Sequence, residues 1–271
     1  MKRPAFLFLI LFLCACTEEE ESLFKRIPSS FSGLAFQNVL EAVDSLNPID
    51  HTNMYNGAGV AIADLNGDEL PDIILAGNRV ASKIYLNEGN LRFTDIGESS
   101  GFVSNAWNTG ISLVDINLDG CLDIYLSSSI YPSTGARKNQ LFLSQSCLPG
   151  EAPQFIERAA EVGLADDGHT TQTLFFDYDN DGDLDAYCLS NATEEFPHNT
   201  LRPKKEDGRG MSTDRLYENK GIRENGLPYF ENVSEQAGIT IEGYGLGIGL
   251  CDINKDGWQD IYVANDFITN D

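Results

Sequence analysis

Apolar positions along this chain fall in short runs, not at helical spacing. GAGVAIA (57–63), NTGISLV (108–114), TTQTLFF (170–176) and GLGIGLC (245–251) are rich in Ile, Leu, Val and aromatic residues. Across a short acidic segment, each is answered by a second run: DIILAGN (72–78), DIYLSSS (123–129), DAYCLSN (185–191) and DIYVAND (260–266). Runs this short, bounded by Gly, Asn and Asp, are the pattern of β-strands. Residues 83–102, 140–164 and 215–239 share a further signature: an apolar pair, a turn, an aromatic, an acidic residue and a small residue before Gly. That supplies two more strands per repeat. No stretch keeps a helical period beyond two turns, which argues against a helical solenoid. Four strands in about 50–60 residues is the size of a propeller blade.

The acidic segments between paired runs align without gaps as DLNGDELPD (64–72), DINLDGCLD (115–123), DYDNDGDLD (177–185) and DINKDGWQD (252–260). Their common pattern is D-x-[DN]-x-D-x-x-x-D, with starts 51, 62 and 75 residues apart. In a tight loop, positions 1, 3 and 5 turn their side chains inward, position 7 offers its carbonyl and position 9 closes the shell. The side-chain ligands are then Asp64, Asn66, Asp68 and Asp72; Asp115, Asn117, Asp119 and Asp123; Asp177, Asp179, Asp181 and Asp185; Asp252, Asn254, Asp256 and Asp260. The carbonyls are those of Leu70, Cys121, Asp183 and Trp258.

Such hard oxygen sets are what Ca²⁺ takes, and the expectation is up to four Ca²⁺ ions. Solvated Asx turns are the simpler reading of one such loop; recurrence at fixed spacing argues against it. Two carboxylates about 4 Å apart repel by ~4 kcal/mol at an effective dielectric of 20. An EF-hand is excluded, because position 12 is Leu75, Leu126, Cys188 and Val263 where a bidentate Glu is required. Glu69 replaces the position-6 glycine of Gly120, Gly182 and Gly257, so the first loop is expected to be weaker or distorted. Gln172 replaces the glycine of Gly59, Gly110 and Gly247, which puts the close strand approach there in doubt.

The Gly-rich run, the acidic loop and the following Asp-Ile-Tyr strand resemble FG-GAP/VCBS repeats, known from integrin α-chain propellers and bacterial surface proteins. The resemblance covers about residue 30 onward, including SGLAFQN (32–38), and implies an all-β fold. The expected architecture is a β-propeller of FG-GAP/VCBS blades, about three complete blades plus part of a fourth, in an incomplete ring. Propeller repeats occupy 55–271, and two strands of the fourth blade are expected beyond the given sequence. Residues 16–54 form a linker and a lead-in strand.

The first residues carry an address. Lys2 and Arg3 precede a nine-residue apolar run, Ala5 to Leu13, and Leu13-Cys14-Ala15-Cys16 resembles a bacterial lipobox. Residues 1–15 are then a lipoprotein signal peptide and Cys16 is the lipidated residue. Glu18 to Glu21 resemble an acidic export tag of Bacteroidetes-like lipoproteins. The expected location is the outer membrane or cell surface, with the membrane met through the N-terminal lipid anchor. In that oxidising compartment a Cys121–Cys147 bridge is compatible with the sequence. Cys188 and Cys251 align with apolar strand residues and are expected to be buried.

The net charge of −24 excludes nucleic acid as a partner. No H-E-x-x-H, G-x-S-x-G or Walker loop occurs, and His51, His169 and His198 are far apart and expected on loops or the surface. The reading is therefore non-catalytic: a calcium-binding surface module for adhesion to a glycan or protein. An accessory part of a polysaccharide-processing enzyme and a structural spacer are the alternatives. The insert from Asn191 to Thr213, with Arg202, Lys204, Lys205 and Arg209, is the most basic stretch and a candidate partner loop.

Overall fold

The computed structural model describes residues 23–44, 46–49, 51–130, 137–192 and 203–266. Residues 1–22, with the expected signal peptide and Cys16, lie outside them, as do His198 and Arg202.

Fourteen strands in these residues form four antiparallel sheets. The first blade holds β1 (Val60–Ala63), β2 (Asp72–Leu75), β3 (Lys83–Asn87) and β4 (Phe93–Asp95). The second holds β5 (Asn108–Val114), β6 (Asp123–Ser128), β7 (Gln140–Ser144) and β8 (Phe155–Glu157). The third holds β9 (Thr170–Phe176), β10 (Asp185–Ser190), β11 (Arg215–Ile222) and β12 (Pro228–Asn232). A fourth sheet contains β13 (Gly245–Cys251) and β14 (Asp260–Asn265). Within each sheet, strands pair in chain order, each antiparallel to the next. The architecture is all-β and β-propeller-like, and the described blades do not close a ring.

The core lies between blades. Ile74, Ile84 and Phe102 of the first repeat pack with Leu126, Phe142 and Phe155 of the second. Tyr125, Leu141 and Leu164 pack with Ala186, Cys188 and Phe230 across the next interface. Phe176, Tyr187, Leu189 and Leu216 meet Val263 of the last sheet. Strands β6 and β10 are buried along their whole length because blades cover both faces. The Phe102 and Phe142 rings tilt at 4.7 Å between centroids, and burying each such side chain stabilises by about 1.5–3 kcal/mol.

Glycine sets how closely the first strands of neighbouring blades approach. A side chain on Gly59 would strike the Ile111 backbone of β5, and one on Gly110 would strike Thr171 and Gln172 of β9. The doubt raised by Gln172 resolves in the same way. The clearance is needed on the preceding strand, and Gln172 fills it, donating from Nε2 to Ile111 O at 3.3 Å and Ser112 Oγ at 3.1 Å.

A second glycine recurs at the rim. After each outer strand the chain makes one helical turn ending in a left-handed glycine: Gly101 at φ +78° and Gly163 at φ +90°. A Cβ on either would fall inside contact distance of the next blade's outer strand, at the carbonyl oxygen of Phe155 or Phe230. The lead-in repeats this device. Ser29–Ser32 is a single helical turn (α1), and Gly33, at φ +81°, abuts the Phe93 carbonyl. This corrects the lead-in strand: SGLAFQN forms no strand, because its beginning is the counterpart of the inter-blade turns. Asn38 then donates from Nδ2 to Asn78 Oδ1 at 2.6 Å, tying the lead-in to the first blade.

One further expectation is corrected. Cys251 is exposed, because the described residues place no blade beyond β13. His169 lies on a loop as expected, just before β9, but is only 1% exposed, beneath the second blade with Nδ1 3.3 Å from Ser129 Oγ.

Cys121 and Cys147 form a disulfide with Cα atoms 5.5 Å apart and 26 residues of separation. It ties the second acidic loop to the β7–β8 connection. That connection also lies against the first loop: a Cβ on Gly67 would sit 2.8 Å from Cys147 O. Closing such a loop stabilises by about 3–4 kcal/mol in the chain-entropy treatment. Cys121→Ser with Cys147→Ser should therefore lower the melting temperature by roughly 5–15 °C. Calorimetry with and without reductant checks this: the parent should fall to the variant's value on reduction, and the variant should not move.

Candidate metal centre

Each acidic loop follows the first strand of its sheet and leads into the second, at one end of the blade. The four loops share one backbone path. Position 4 is left-handed in all, as Gly67 (φ 71°), Leu118 (58°), Asn180 (58°) and Lys255 (63°), and so is position 6. Glu69 takes φ 68° there, beside 89°, 98° and 91° for Gly120, Gly182 and Gly257. The first loop is thus not distorted: it has glycine at position 4 and bears the less favourable residue at position 6.

The reason the path recurs is visible in the hydrogen bonds. The position-1 carboxylate accepts from the position-6 N–H: Glu69 to Asp64 at 2.7 Å, Gly120 to Asp115 at 2.9 Å, Gly182 to Asp177 at 3.0 Å and Gly257 to Asp252 at 3.0 Å. The position-5 carboxylate accepts from the position-7 N–H at 2.8–3.0 Å in Asp68, Asp119, Asp181 and Asp256. The loop curls around its own carboxylates, gathering negative charge at the centre.

Position 9 has a different role. Asp72, Asp123 and Asp185 are buried, and Oδ2 of each accepts from the position-2 N–H of Leu65, Ile116 or Tyr178 at 2.9–3.1 Å. Oδ1 accepts from the third strand: Asn87 N at 2.8 Å, Ser144 N at 2.8 Å and Asn219 N at 2.7 Å. These residues buckle the loop to the sheet, and each oxygen keeps further lone pairs for a cation.

The loops divide at position 3. Asn66, Asn117 and Asn254 donate from Nδ2 to Oδ2 of Asp68, Asp119 and Asp256 at 2.9–3.1 Å. The third loop has Asp179 there, with no amide to give. Among the described residues it is where three carboxylates, Asp177, Asp179 and Asp185, bring ligand oxygens within 4.8 Å of one another. It also holds a residue that spacing alone did not single out for its side chain. Asp183, expected to contribute its carbonyl, has a buried Oδ1 with no hydrogen-bond partner. The signal was a fifth Asp at position 7, where the other loops have Leu70, Cys121 and Trp258.

Protonation follows from this crowding. Burial, with Asp119 and Asp115 adding to it, pushes Asp123 up to about 7. Burial and neighbouring carboxylates push Asp183 and Asp185 up to about 6 and raise Asp72 and Asp179. Asp256 is lowered by the Trp258 N–H and the Asn254 amide. Asp64 is lowered because four backbone N–H groups outweigh its slight burial. Hard oxygen donors with raised pKa values and an unmatched buried oxygen fit a hard divalent cation, with the third loop the most charged.

Without a cation, carboxyls raised in the folded state bind more protons folded than unfolded between about pH 4 and 7. Their contribution then favours the fold at low pH and is lost as pH rises through the folded values near 6 and 7. In chelator, this contribution should make the protein more stable at pH 5.5 than at pH 7.5, by on the order of a few kcal/mol. Asp123→Asn should flatten that slope. Denaturant melts across this range, with parent and variant in parallel, check both.

Residues 64–126, from the first acidic loop into β6, match the FG-GAP-like repeat family. The chain is also similar to curated proteins named cartilage acidic protein 1. It is 24% identical to the Xenopus tropicalis protein over 216 residues, covering 79% of this chain and 29% of that one. The Mus musculus protein is 23% identical over 211 residues, 77% of this chain and 29% of that one. The Homo sapiens protein is 31% identical over 150 residues, 54% of this chain and 22% of that one. The chain thus spans less than a third of the length of these relatives. The matched segment carries two of the four acidic loops and the strands between them, and this chain contains FG-GAP-like repeat structure.

Proposed function

We propose that this protein is a non-catalytic, calcium-dependent binding module displayed at the cell surface, where it mediates adhesion to a glycan or protein. The observation that carries the reading is the acidic loop itself, repeated with one backbone path and one set of oxygen donors. Asp64, Asn66, Asp68 and Asp72 would hold the first ion with the Leu70 carbonyl, and the corresponding residues of the other loops would hold up to three more. Calcium there would neutralise the gathered carboxylates and fix each strand connection. The similarity to proteins named for an acidic cartilage component supports an extracellular role. No helix among the described residues is long and apolar enough to cross a membrane. Anchoring in this reading is by the proposed lipid at Cys16. The basic insert supports a partner contact on the face away from the acidic loops, because it joins β10 to β11 at the opposite blade end.

Calcium at roughly 10⁻⁴–10⁻³ M affinity should raise the melting temperature by mass action. Asp179→Ala with Asp181→Ala should remove the third site's share. Melts in millimolar calcium and in chelator check this, and identical curves would end the calcium reading. Glycan-array binding that requires calcium would support adhesion, while turnover of a polysaccharide would replace it with an enzymatic role.

Lipidation is tested separately. The parent should incorporate an alkyne fatty acid in the bacterium and Cys16→Ser should not; equal labelling of the two would refute the anchor.

A further inference from the structure

The described part of the basic insert is seated on the chain that follows the third blade. Lys205 N donates to Glu242 Oε1 at 3.1 Å, Glu242 N to Lys205 O at 3.0 Å and Gly208 N to Thr240 O at 2.8 Å. Gly210 permits this seat, because a Cβ there would fall 2.6 Å from the Glu242 Cβ. Residues 208–211, held in this way, wall a cavity of about 210 Å³ against Arg137, Asp167, Gly168 and Arg215. These residues belong to the second and third repeats, whose sheets each hold four strands, and no residue of the last sheet lines the cavity.

Three arginines, Arg137, Arg209 and Arg215, line it together. Arg137 is buried and donates from Nε to the Asp167 carbonyl at 3.0 Å. Arg215 is anchored from one side. Its Nη1 donates to Oδ2 of the buried Asp166 at 2.5 Å, and the same carboxylate accepts from the Tyr217 hydroxyl and, on Oδ1, from Gly168 N at 2.7 Å. Among the described residues, Nε and Nη2 of Arg215 and the guanidinium of the exposed Arg209 have no protein partner. A guanidinium fixed by one nitrogen, with its other donors unspent, is oriented to receive a second oxyanion.

Asp167 narrows what that oxyanion belongs to. It lines the same cavity, with Oδ1 3.9 Å from Arg215 Nη1. It would repel a dense polyanion, but it accepts from hydroxyl groups, so the lining suits a ligand with both an acid and hydroxyls. Met211 adds an apolar surface for the C–H face of a sugar ring. The volume is below the about 300 Å³ at which pockets for drug-sized ligands begin, which suits a single sugar unit.

We propose that this cavity binds one acidic sugar, through its carboxylate or sulfate, within an otherwise neutral glycan. The proposal rests on the adhesion reading for its glycan and not on calcium. The net charge of −24 does not oppose it. The cavity lies at the blade end away from the acidic loops, and the seven residues of β9 between them span roughly 20 Å at about 3.3 Å per residue. That is more than twice the Debye length of about 8 Å at physiological ionic strength. An isolated acid is screened from the loops, whereas a polymer charged at every unit would extend over acidic surface.

The test titrates the full chain with three trisaccharides of one backbone, carrying a single terminal uronate, a single sulfate or no charge. An Ala-Glu-Ala tripeptide is the fourth probe. Arg209→Gln is the diagnostic variant, because Arg215→Gln would leave the buried Asp166 without its cation. Arg79→Gln, exposed at the same end of the first blade and outside the cavity, is the control. At least one acidic trisaccharide should bind the parent and Arg79→Gln equally, and at least about tenfold more tightly than the neutral one. Arg209→Gln should lose that preference, and the tighter of the two acids identifies the source of the oxyanion. Equal binding by Arg209→Gln and the parent, no preference for acid, or tighter binding of the tripeptide overturns the proposal. A glycan-array signal that Arg209→Gln leaves unchanged overturns this site while the adhesion reading stands. Acid-dependent binding lost in Arg209→Gln, with calcium and chelator giving the same result, supports the site whatever becomes of calcium.

Discussion

The structure depends on a buried carboxylate at the ninth position of the first three acidic loops. Asp72, Asp123 and Asp185 accept from the loop with one oxygen and from the third strand with the other. A buried charge without such donors is costly, and removing a partner leaves that cost uncompensated. The backbone N–H groups of Asn87, Ser144 and Asn219 are therefore as much part of the loop as its own residues. Sheet assembly and the proposed metal chemistry meet in one side chain: the residue that would complete the oxygen shell also registers the second strand against the third.

Around this buckle the rest is nearest-neighbour packing. Each blade is a thin antiparallel sheet whose two faces are apolar, so it cannot be stable alone. Neighbours cover it, and the core is a series of layers between sheets. Glycine sets the spacing, at Gly59 and Gly110 near the first strands and at Gly33, Gly101 and Gly163 along the rim. Tyr125, which donates from its hydroxyl to Leu164 O at 2.8 Å, shows how a polar end inside a layer is satisfied by the end of its own repeat.

What was legible in the sequence was whatever one repeat contains. The strand runs, the acidic loops and the small-residue-before-Gly turn are local patterns that recur, and recurrence filters out accident. What one repeat cannot show is its neighbour. His169 is a loop histidine whose burial shows only when the second blade is laid over it, and Cys251 reads as a core residue because its counterparts have a blade beyond them. SGLAFQN resembles a strand until Gly33 is seen against Phe93. The Asp183 side chain was hidden by an assumption of equivalence, since position 7 serves through its carbonyl when the residue is Leu or Trp. The disulfide was compatible with the sequence, but its placement against Gly67, bridging two loops, required the fold.

The layered core has a mechanical meaning. Blades that touch only adjacent blades form a one-dimensional array, whose stability is a sum of unit and interface terms. Such an array need not open all at once. Strands β6 and β10, held on both faces, mark its stiff middle. Amide exchange should then be slowest in the second and third sheets. The Cys121–Cys147 bond sits within the second blade, where it acts as a splint between that blade's acidic loop and its β7–β8 connection.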